Sequence, residues 1–492
     1  MSGLSEAESR WLEQGRTWPD RLQAWAIAGA GVEPVAVQDS AGDDPRIAEF
    51  GAAWRAAIDP EGFGAWAERL RRAGLTPGDI GALLPAVDRA PPHADDPPPW
   101  WATFTRLRSA CKQAAKLQSS SPISDADRDF AALVDAVSSE AADVAFAHLL
   151  APMVATSWQR LCTQCPAARA LPESAIADAR RALLQRLSEI GSSALGADFS
   201  DTRRAGATIM LAIGASPDTP GTSTNRYLTW CHDHLTDGCA HLWNRFPVLC
   251  RLLATVCDQW RMNLTDMLER VAADRTELAQ HFGIAQSSVL SHIEWGLSDP
   301  HRGGRTVSVL HFSASADDPA VHPEPGVSAG DPDPAARVTR IVYKPKDLRI
   351  EQRFQDVLDL VGDWLQDDSW RAQTIHAVSD TYGYAEFLPA TPCQNDAQLS
   401  VFYRNAGRLL AVLHLLGASD AHCENLIACG TMLHLIDAET LFESPRMDSD
   451  DDPAPSLMAE SVLRVGMLPG WSVSGKAQRI FDVSALGVDS TT

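Results

Sequence analysis

The feature that most constrains the fold is a change of hydrophobic period near Gln286. Before it, apolar residues recur at helical spacing. Phe130, Leu133, Val134 and Val137 form one such set, Phe146, Leu149 and Leu150 another, and Leu183, Leu184, Leu187 and Ile190 a third. A long periodic block then runs from Tyr227 to Phe282. After Gln286, short β-branched runs alternate with Gly- and Pro-containing turns. Val289, Ser291 and Ile293 share one parity, which predicts a strand from Ser287. Ser298 to Gly304 reads as a polar turn, Arg305 to Phe312 as a second strand, and Arg337 to Lys344 as a third, ended by Pro345. Arg349 to Leu365 predicts an amphipathic helix with Phe354, Val357, Leu358, Val361 and Leu365 on one face. Tyr382 to Leu388 reads as a strand, and Gln398 to Leu416 as a helix. Near the N-terminus, Trp11, Leu12, Trp18, Leu22 and Trp25 anchor further helices, and Thr76 with Pro77 is a helix-start signal. Pro91 to Pro99 is a linker or rigid loop. The expectation is an α+β protein with a helical region over 1–90, a helical domain over 100–285 and a strand-containing core over 286–492.

Chemistry concentrates in His414 to Phe442. Asp420 is followed by Asn425 after four residues, and Asp437 ends the apolar run Met432 to Ile436. Phosphoryl transfer is mostly positioning and charge neutralisation, so a kinase places an Asp to orient the hydroxyl, an Asn five residues on for one metal, and a further Asp for the other. An Asp–x4–Asn pair by itself recurs by chance and as turn chemistry. The upstream pattern strengthens it: strand, turn with Gly303 and Gly304, strand, loop, then a strand bearing Lys344. In kinases the Gly-rich loop covers the phosphates and the strand lysine reaches them. By that reading Gly303, Gly304 and Lys344 bind nucleotide. Glu351, Asp356, Asp359 and Asp363 all compete as the carboxylate partner of Lys344.

Composition excludes some classes of function. A formal charge of −22 over 492 residues argues against a general nucleic-acid or anionic-membrane binder. The start, MSGLSEAESRWLEQG, lacks the basic and apolar regions of a signal peptide. No apolar run reaches the ~18 residues of a spanning helix, so the expected location is the cytoplasm. There the ten cysteines are expected as reduced thiols. Cys162 and Cys165 have no second pair to make a zinc ribbon. Cys231, His232, Asp233, His234, Cys239 and His241 lie in a helical pattern and read as core thiols and surface imidazoles rather than as a metal site.

From about Tyr227 onward the chain resembles the dehydratase domain of class II lanthipeptide synthetases, the LanM type. The stretches that carry the resemblance are FPVLCRLL with Trp260, LSDPHRGGRTVSVLHF, RIVYKPKDL, YGYAEFL, FYRNAGRLLAVLHLLGASDAHCENLIACGTMLHLIDAETLF and, less specifically, SVLRVGMLPGW. The resemblance implies a lipid-kinase-like two-lobed α/β core with added helices. It implies ATP and Mg as cofactors, and phosphorylation of Ser and Thr in a precursor peptide followed by loss of phosphate to give dehydroamino acids. Carried over by motif, Lys344 binds phosphate, Asp420, His422 and Asn425 form the D-x-H-x-x-N loop, and Asp437 binds metal. Glu439 beside it is a second ligand or a salt-bridging carboxylate. Asp299 and His301 form the D-x-H turn implicated in phosphate handling or elimination. Tyr384 stands where the family usually has Trp, and His434 where it commonly has Pro.

The Arg and Thr residues that the family ties to elimination, and the zinc-dependent cyclase, have no counterpart here. The expectation is therefore of a fragment, a split-gene product or a degraded relative whose precursor peptide carries a leader and whose partner is a separate cyclase or the missing C-terminal part. Two alternatives compete with the dehydratase reading: a non-catalytic, pseudokinase-like peptide or nucleotide binder, and a small-molecule kinase of the aminoglycoside phosphotransferase type.

Overall fold

The computed structural model describes residues 97–119, 124–212, 222–313, 338–367, 369–442 and 460–469, with shorter pieces around them. Trp18, Leu22, Trp25, the Thr76–Pro77 signal, most of the linker before Pro97 and the acidic stretch Asp448 to Asp452 lie outside the described residues. The chain divides into two units, Met1–Arg169 with Arg180–Asp266, and Ala170–Ala179 with Met267–Thr492.

The first unit is built from helices. Among them are α1 (Pro99–Ser119), α2 (Asp125–Glu140), α3 (Ala147–Gln164), α4 (Glu173–Ala212), α5 (Thr222–Asp237), α6 (Ala240–Arg245) and α7 (Pro247–Ala273), the start of α4 and the end of α7 falling in the second unit. Pro99, read as the last linker residue, is instead the first residue of α1, where a missing N–H costs no helical bond. The periodic block from Tyr227 is not one helix. Gly238 and Cys239 both adopt left-handed backbone (φ 71° and 61°), which ends α5, and Pro247 restarts the helix as α7. Periodicity survives these breaks because each segment keeps an apolar face toward the same core. That core includes an aromatic knot in which Phe104 of α1 meets Trp243 of α6 edge-on at 5.5 Å.

The second unit holds α8 (Arg275–Phe282) and a five-stranded antiparallel sheet of order β1-β2-β3-β5-β4. Its strands are β1 (Val289–Glu294), β2 (Ser308–Ser313), β3 (Val338–Lys344), β4 (Ile375–Ala377) and β5 (Gly383–Glu386). The fold class is α+β. One expectation is corrected within β1. Val289 is exposed, and the buried side chains are Leu290 and Ile293, three residues apart. A β-bulge between Leu290 and His292 shifts the parity. It is braced from the 170–179 segment: Ser174 Oγ donates to the Ser291 carbonyl at 2.6 Å, and Asp178 Oδ2 accepts the Ile293 N–H at 3.0 Å.

After β3 come α9 (Arg349–Leu365), α10 (Asp396–Leu415), a hairpin of β6 (Leu426–Cys429) and β7 (Met432–Leu435), and a small hairpin of β8 (Trp471–Val473) and β9 (Ile480–Asp482). Phe354 and Leu358 of α9, and Ala406, Leu409 and Leu413 of α10, share one buried core with Leu426, Met432, Leu433, Leu435 and Met467. Each fully buried aliphatic side chain in such a core contributes on the order of 2 kcal/mol. This core fixes the hairpin against α10, and so fixes the loop between them. No helix among the described residues is long and apolar enough to cross a membrane.

Candidate functional site

The loop 417–425 leaves α10 through Gly417, whose left-handed φ of 69° turns the chain and lets the Ala418 N–H reach the Leu413 carbonyl at 3.0 Å. A 3-10 turn, Val462–Val465, holds the loop from outside. Arg464 donates to the Gly417 carbonyl at 2.7 Å, and the Ala421 N–H donates to the Val465 carbonyl at 2.8 Å. Within the loop both carboxylate oxygens of Asp420 are engaged. Asn425 Nδ2 donates to Oδ2 at 3.1 Å and to the Asp420 carbonyl at 2.8 Å, while His422 Nε2 faces Oδ1 at 3.3 Å. His422 Nδ1 accepts the Glu424 N–H at 3.2 Å, which assigns the ring proton to Nε2, toward Asp420. Because the Asn425 amide nitrogen is spent on Asp420, its oxygen points away from Asp420.

The backbone of one residue joins this loop to β3. The Ile436 N–H donates to the Asn425 carbonyl at 2.9 Å, and the Ile436 carbonyl accepts a hydrogen bond from Lys344 Nζ. Lys344, Asn425 and Asp437 therefore meet around the end of β7. Lys344 is 5% exposed. Burial pushes its ammonium below the usual lysine range, with Glu351 and Asp437 pulling the other way and Lys346 adding to the drop.

The residue that pairs with the carboxylates is Lys346. Its Nζ lies 2.8 Å from Asp437 Oδ1, 2.9 Å from Glu439 Oε1 and 3.0 Å from Glu351 Oε1. Burial alone would lower its pKa, but Glu351 and Asp437 outweigh that and hold it above the ordinary lysine value. Of the four acids on α9 that competed for Lys344, Glu351 is the one buried here, at 3% exposure. Asp356 pairs with Arg353 at 2.8 Å. The sequence reading named Lys344 and passed over Lys346. The available signal was the spacing: residues two apart on an extended chain share a face, so a Lys-Pro-Lys run delivers both cations to one side. Ile436 was invisible because it acts through its backbone.

Asp299, His301, Gly303 and Gly304 form a separate group on the β1–β2 turn. His301 and Arg305 exchange backbone hydrogen bonds at 2.9 and 2.8 Å, and Arg302, Gly303 and Gly304 between them all have positive φ, at 32°, 86° and 76°. Two successive glycines meet that requirement without Cβ strain. Ser298 Oγ accepts the Val307 N–H at 3.0 Å and ties the turn to β2.

Among the described residues no three His, Cys, Asp or Glu side chains converge as a metal site. In the helical unit, His234 Nε2 and His241 Nε2 lie 3.0 and 3.3 Å from Asp198, which also accepts from Trp230 and Arg245, so these imidazoles serve one buried carboxylate. All ten cysteines are free thiols. Around Asp437 the side-chain donors are oxygens: Glu439 and Glu351 share Lys346 with it. That set suits a hard cation such as Mg, which takes one or two protein carboxylates and completes its shell with water and phosphate.

Comparison with known proteins adds two findings. A family model described as a domain of unknown function, DUF4135, matches residues 246–492. The lacticin 481/lactococcin biosynthesis protein LcnDR2 of Lactococcus lactis subsp. lactis is similar, at 27% identity over 145 residues. That alignment covers 27% of this chain and 16% of the relative's length.

Proposed function

Because the chain belongs to the DUF4135 family, the domain found in class II, LanM-type lanthipeptide synthetases, we propose that it serves lanthipeptide biosynthesis by phosphorylating Ser and Thr of a precursor peptide with ATP and Mg. The observation that carries the reading is the Ile436 backbone, whose N–H bonds to Asn425 and whose carbonyl bonds to Lys344. It supports a kinase-like core in which the lysine, the amide and Asp437 serve one triphosphate.

The geometry supports the following roles. Lys344, desolvated but still a donor, stabilises phosphate charge in a site where water competes weakly. Asp420 orients the substrate hydroxyl and takes its proton as the oxygen attacks phosphorus. His422 and Asn425 hold the Asp420 carboxylate on both oxygens and so fix the direction of the lone pairs that remain. Asp437 and the Asn425 amide oxygen would hold Mg, with Glu439 beside them. Bound Mg would neutralise charge on the transferring phosphate. Gly303 and Gly304 give the β1–β2 turn a backbone that can approach phosphate closely, and Asp299 and His301 flank it. The phosphate ester so formed is the first half of a dehydration. The reaction consumes ATP, and we assign it to the cytoplasm on that ground.

Incubating the chain with ATP, Mg and a lanthipeptide precursor, followed by mass spectrometry, tests this. Phosphorylated or dehydrated peptide is the expected result. Nucleotide binding without either product would favour a pseudokinase, and phosphorylation of an aminoglycoside but not of peptide would favour a small-molecule kinase.

A further inference from the structure

We propose that Lys346 makes metal capture conditional on nucleotide: its ammonium fills the carboxylate cluster and keeps out a bare divalent ion until phosphates arrive. The inference rests on the nucleotide-binding reading of this site and deepens it. Lys346 Nζ is within 3.0 Å of three carboxylates, Asp437, Glu439 and Glu351. Without a cation among them, these negative charges would attract a divalent ion, for which one or two of the carboxylates can serve as ligands. With the ammonium seated, and with Lys344 donating to the neighbouring Ile436 carbonyl, five formal charges leave a net of −1. Asp437 Oδ1 is then occupied, and an incoming ion approaching the other carboxylate oxygen meets a positive charge a few ångströms away.

The anchoring is uneven, and that gives the device its release. Glu351 is buried on α9, whereas the Glu439 side chain is 62% exposed and that of Asp437 38% exposed. Phosphate oxygens entering from the exposed side offer Lys346 a replacement for Asp437 and Glu439 while Glu351 keeps hold of it. The negative charge they bring restores the attraction for a divalent ion. Pro345, between the two lysines, restricts the backbone so that the ammonium moves by side-chain rotation.

The test uses the full chain and Mn²⁺ followed by electron paramagnetic resonance, first with the metal alone and then with a non-hydrolysable ATP analogue. Wild type should bind Mn²⁺ weakly alone and more tightly with the analogue than the analogue's own affinity for Mn²⁺ explains. Lys346→Met should bind Mn²⁺ alone at least about tenfold more tightly than wild type, and adding Glu439→Gln to that variant should reverse much of the gain. Lys346→Met binding the bare ion no more tightly than wild type would overturn the proposal. If that variant fails to fold by circular dichroism, Lys346→Gln is read by the same criterion. The wild-type comparison also decides by itself, since equal affinities for Mn²⁺ with and without the analogue would overturn conditional capture. A wild-type chain that never binds the analogue, beside a Lys346→Met that gains the bare ion, would refute the nucleotide reading and leave the charge role of Lys346 standing.

Discussion

Replacing Asp437 by Asn should cost metal–nucleotide affinity without disturbing the fold. The amide is isosteric, and its oxygen can still accept the Glu439 N–H that Asp437 Oδ1 now accepts at 3.2 Å. Lys346 loses one charged partner but keeps Glu439 at 2.9 Å and Glu351 at 3.0 Å. What disappears is one negative charge beside a divalent ion. Two unit charges about 4 Å apart interact by about 4 kcal/mol at an effective dielectric near 20. A doubly charged ion in direct contact would raise that figure, and the 38% exposure of the Asp437 side chain lowers it by screening. The net expectation is a loss of about 3 kcal/mol, or about two orders of magnitude in affinity. Calorimetric titration of wild type and Asp437→Asn with ATP and Mg measures it directly, with thermal unfolding as the control. A folded variant whose affinity falls by less than about threefold would remove Asp437 from the metal site.

Three further outcomes are expected. His434 is 3% exposed, and burial pushes its pKa down to about 4, with Arg371 adding to the drop and Glu386 opposing it. The unfolded chain, with an ordinary value near 6.5, binds the extra proton first, so stability is intact above about pH 6.5 and is lost as pH falls toward 4, by up to about 3 kcal/mol. Urea unfolding at pH 7 and pH 4.5 should show that slope in wild type and a shallower one in His434→Leu. Asn405→Ala should destabilise by about 2 kcal/mol in the same assay, because Asn405 Nδ2 donates to the Thr431 carbonyl at 3.0 Å and Oδ1 accepts from Arg408 at 2.9 Å, in a position with no solvent access. Gly383→Ala should destabilise by about 1–3 kcal/mol, since a Cβ there would lie 2.6 Å from the His376 carbonyl oxygen and 2.8 Å from Leu348 Cδ1. An unchanged midpoint would show that the β4–β5 pairing yields without cost.

Local pattern carried much of the second unit. The helix over Arg349 to Leu365 has the bounds its apolar face implies. The third strand ends at Lys344, where Pro345 stops it, and the apolar run from Met432 holds the fully buried strand β7. Failures came where the determining contact is distant in sequence. The parity of β1 depends on Ser174 and Asp178, more than a hundred residues upstream. β4, three residues long, has too few positions to show a period, and exists because β5 offers it a paired edge. At the site, residue types pointed to Lys344, Asp420, Asn425 and Asp437, but not to the exchange by which Lys346 rather than Lys344 takes the carboxylates. That choice is set by burial: Lys344 sits at the strand end inside the core, and its neighbour two residues on reaches the rim.

The backbone of Ile436 means that part of this site is written as a length rather than as a set of letters. Its two hydrogen bonds use main-chain atoms, so exchanging the side chain at 436 leaves both intact, and point substitution there is a poor probe of the site. An insertion or deletion of one residue between Asn425 and Asp437 acts differently. It slips the β6–β7 register, now pairing Leu426 with Leu435, and turns alternate side chains to the opposite face. Asp437 would then rotate away from Lys346 although every recognisable motif residue remained in the gene. Among divergent copies of such a chain, the spacing across this hairpin is the quantity to count before the presence of Asp and Asn is taken as a working pair.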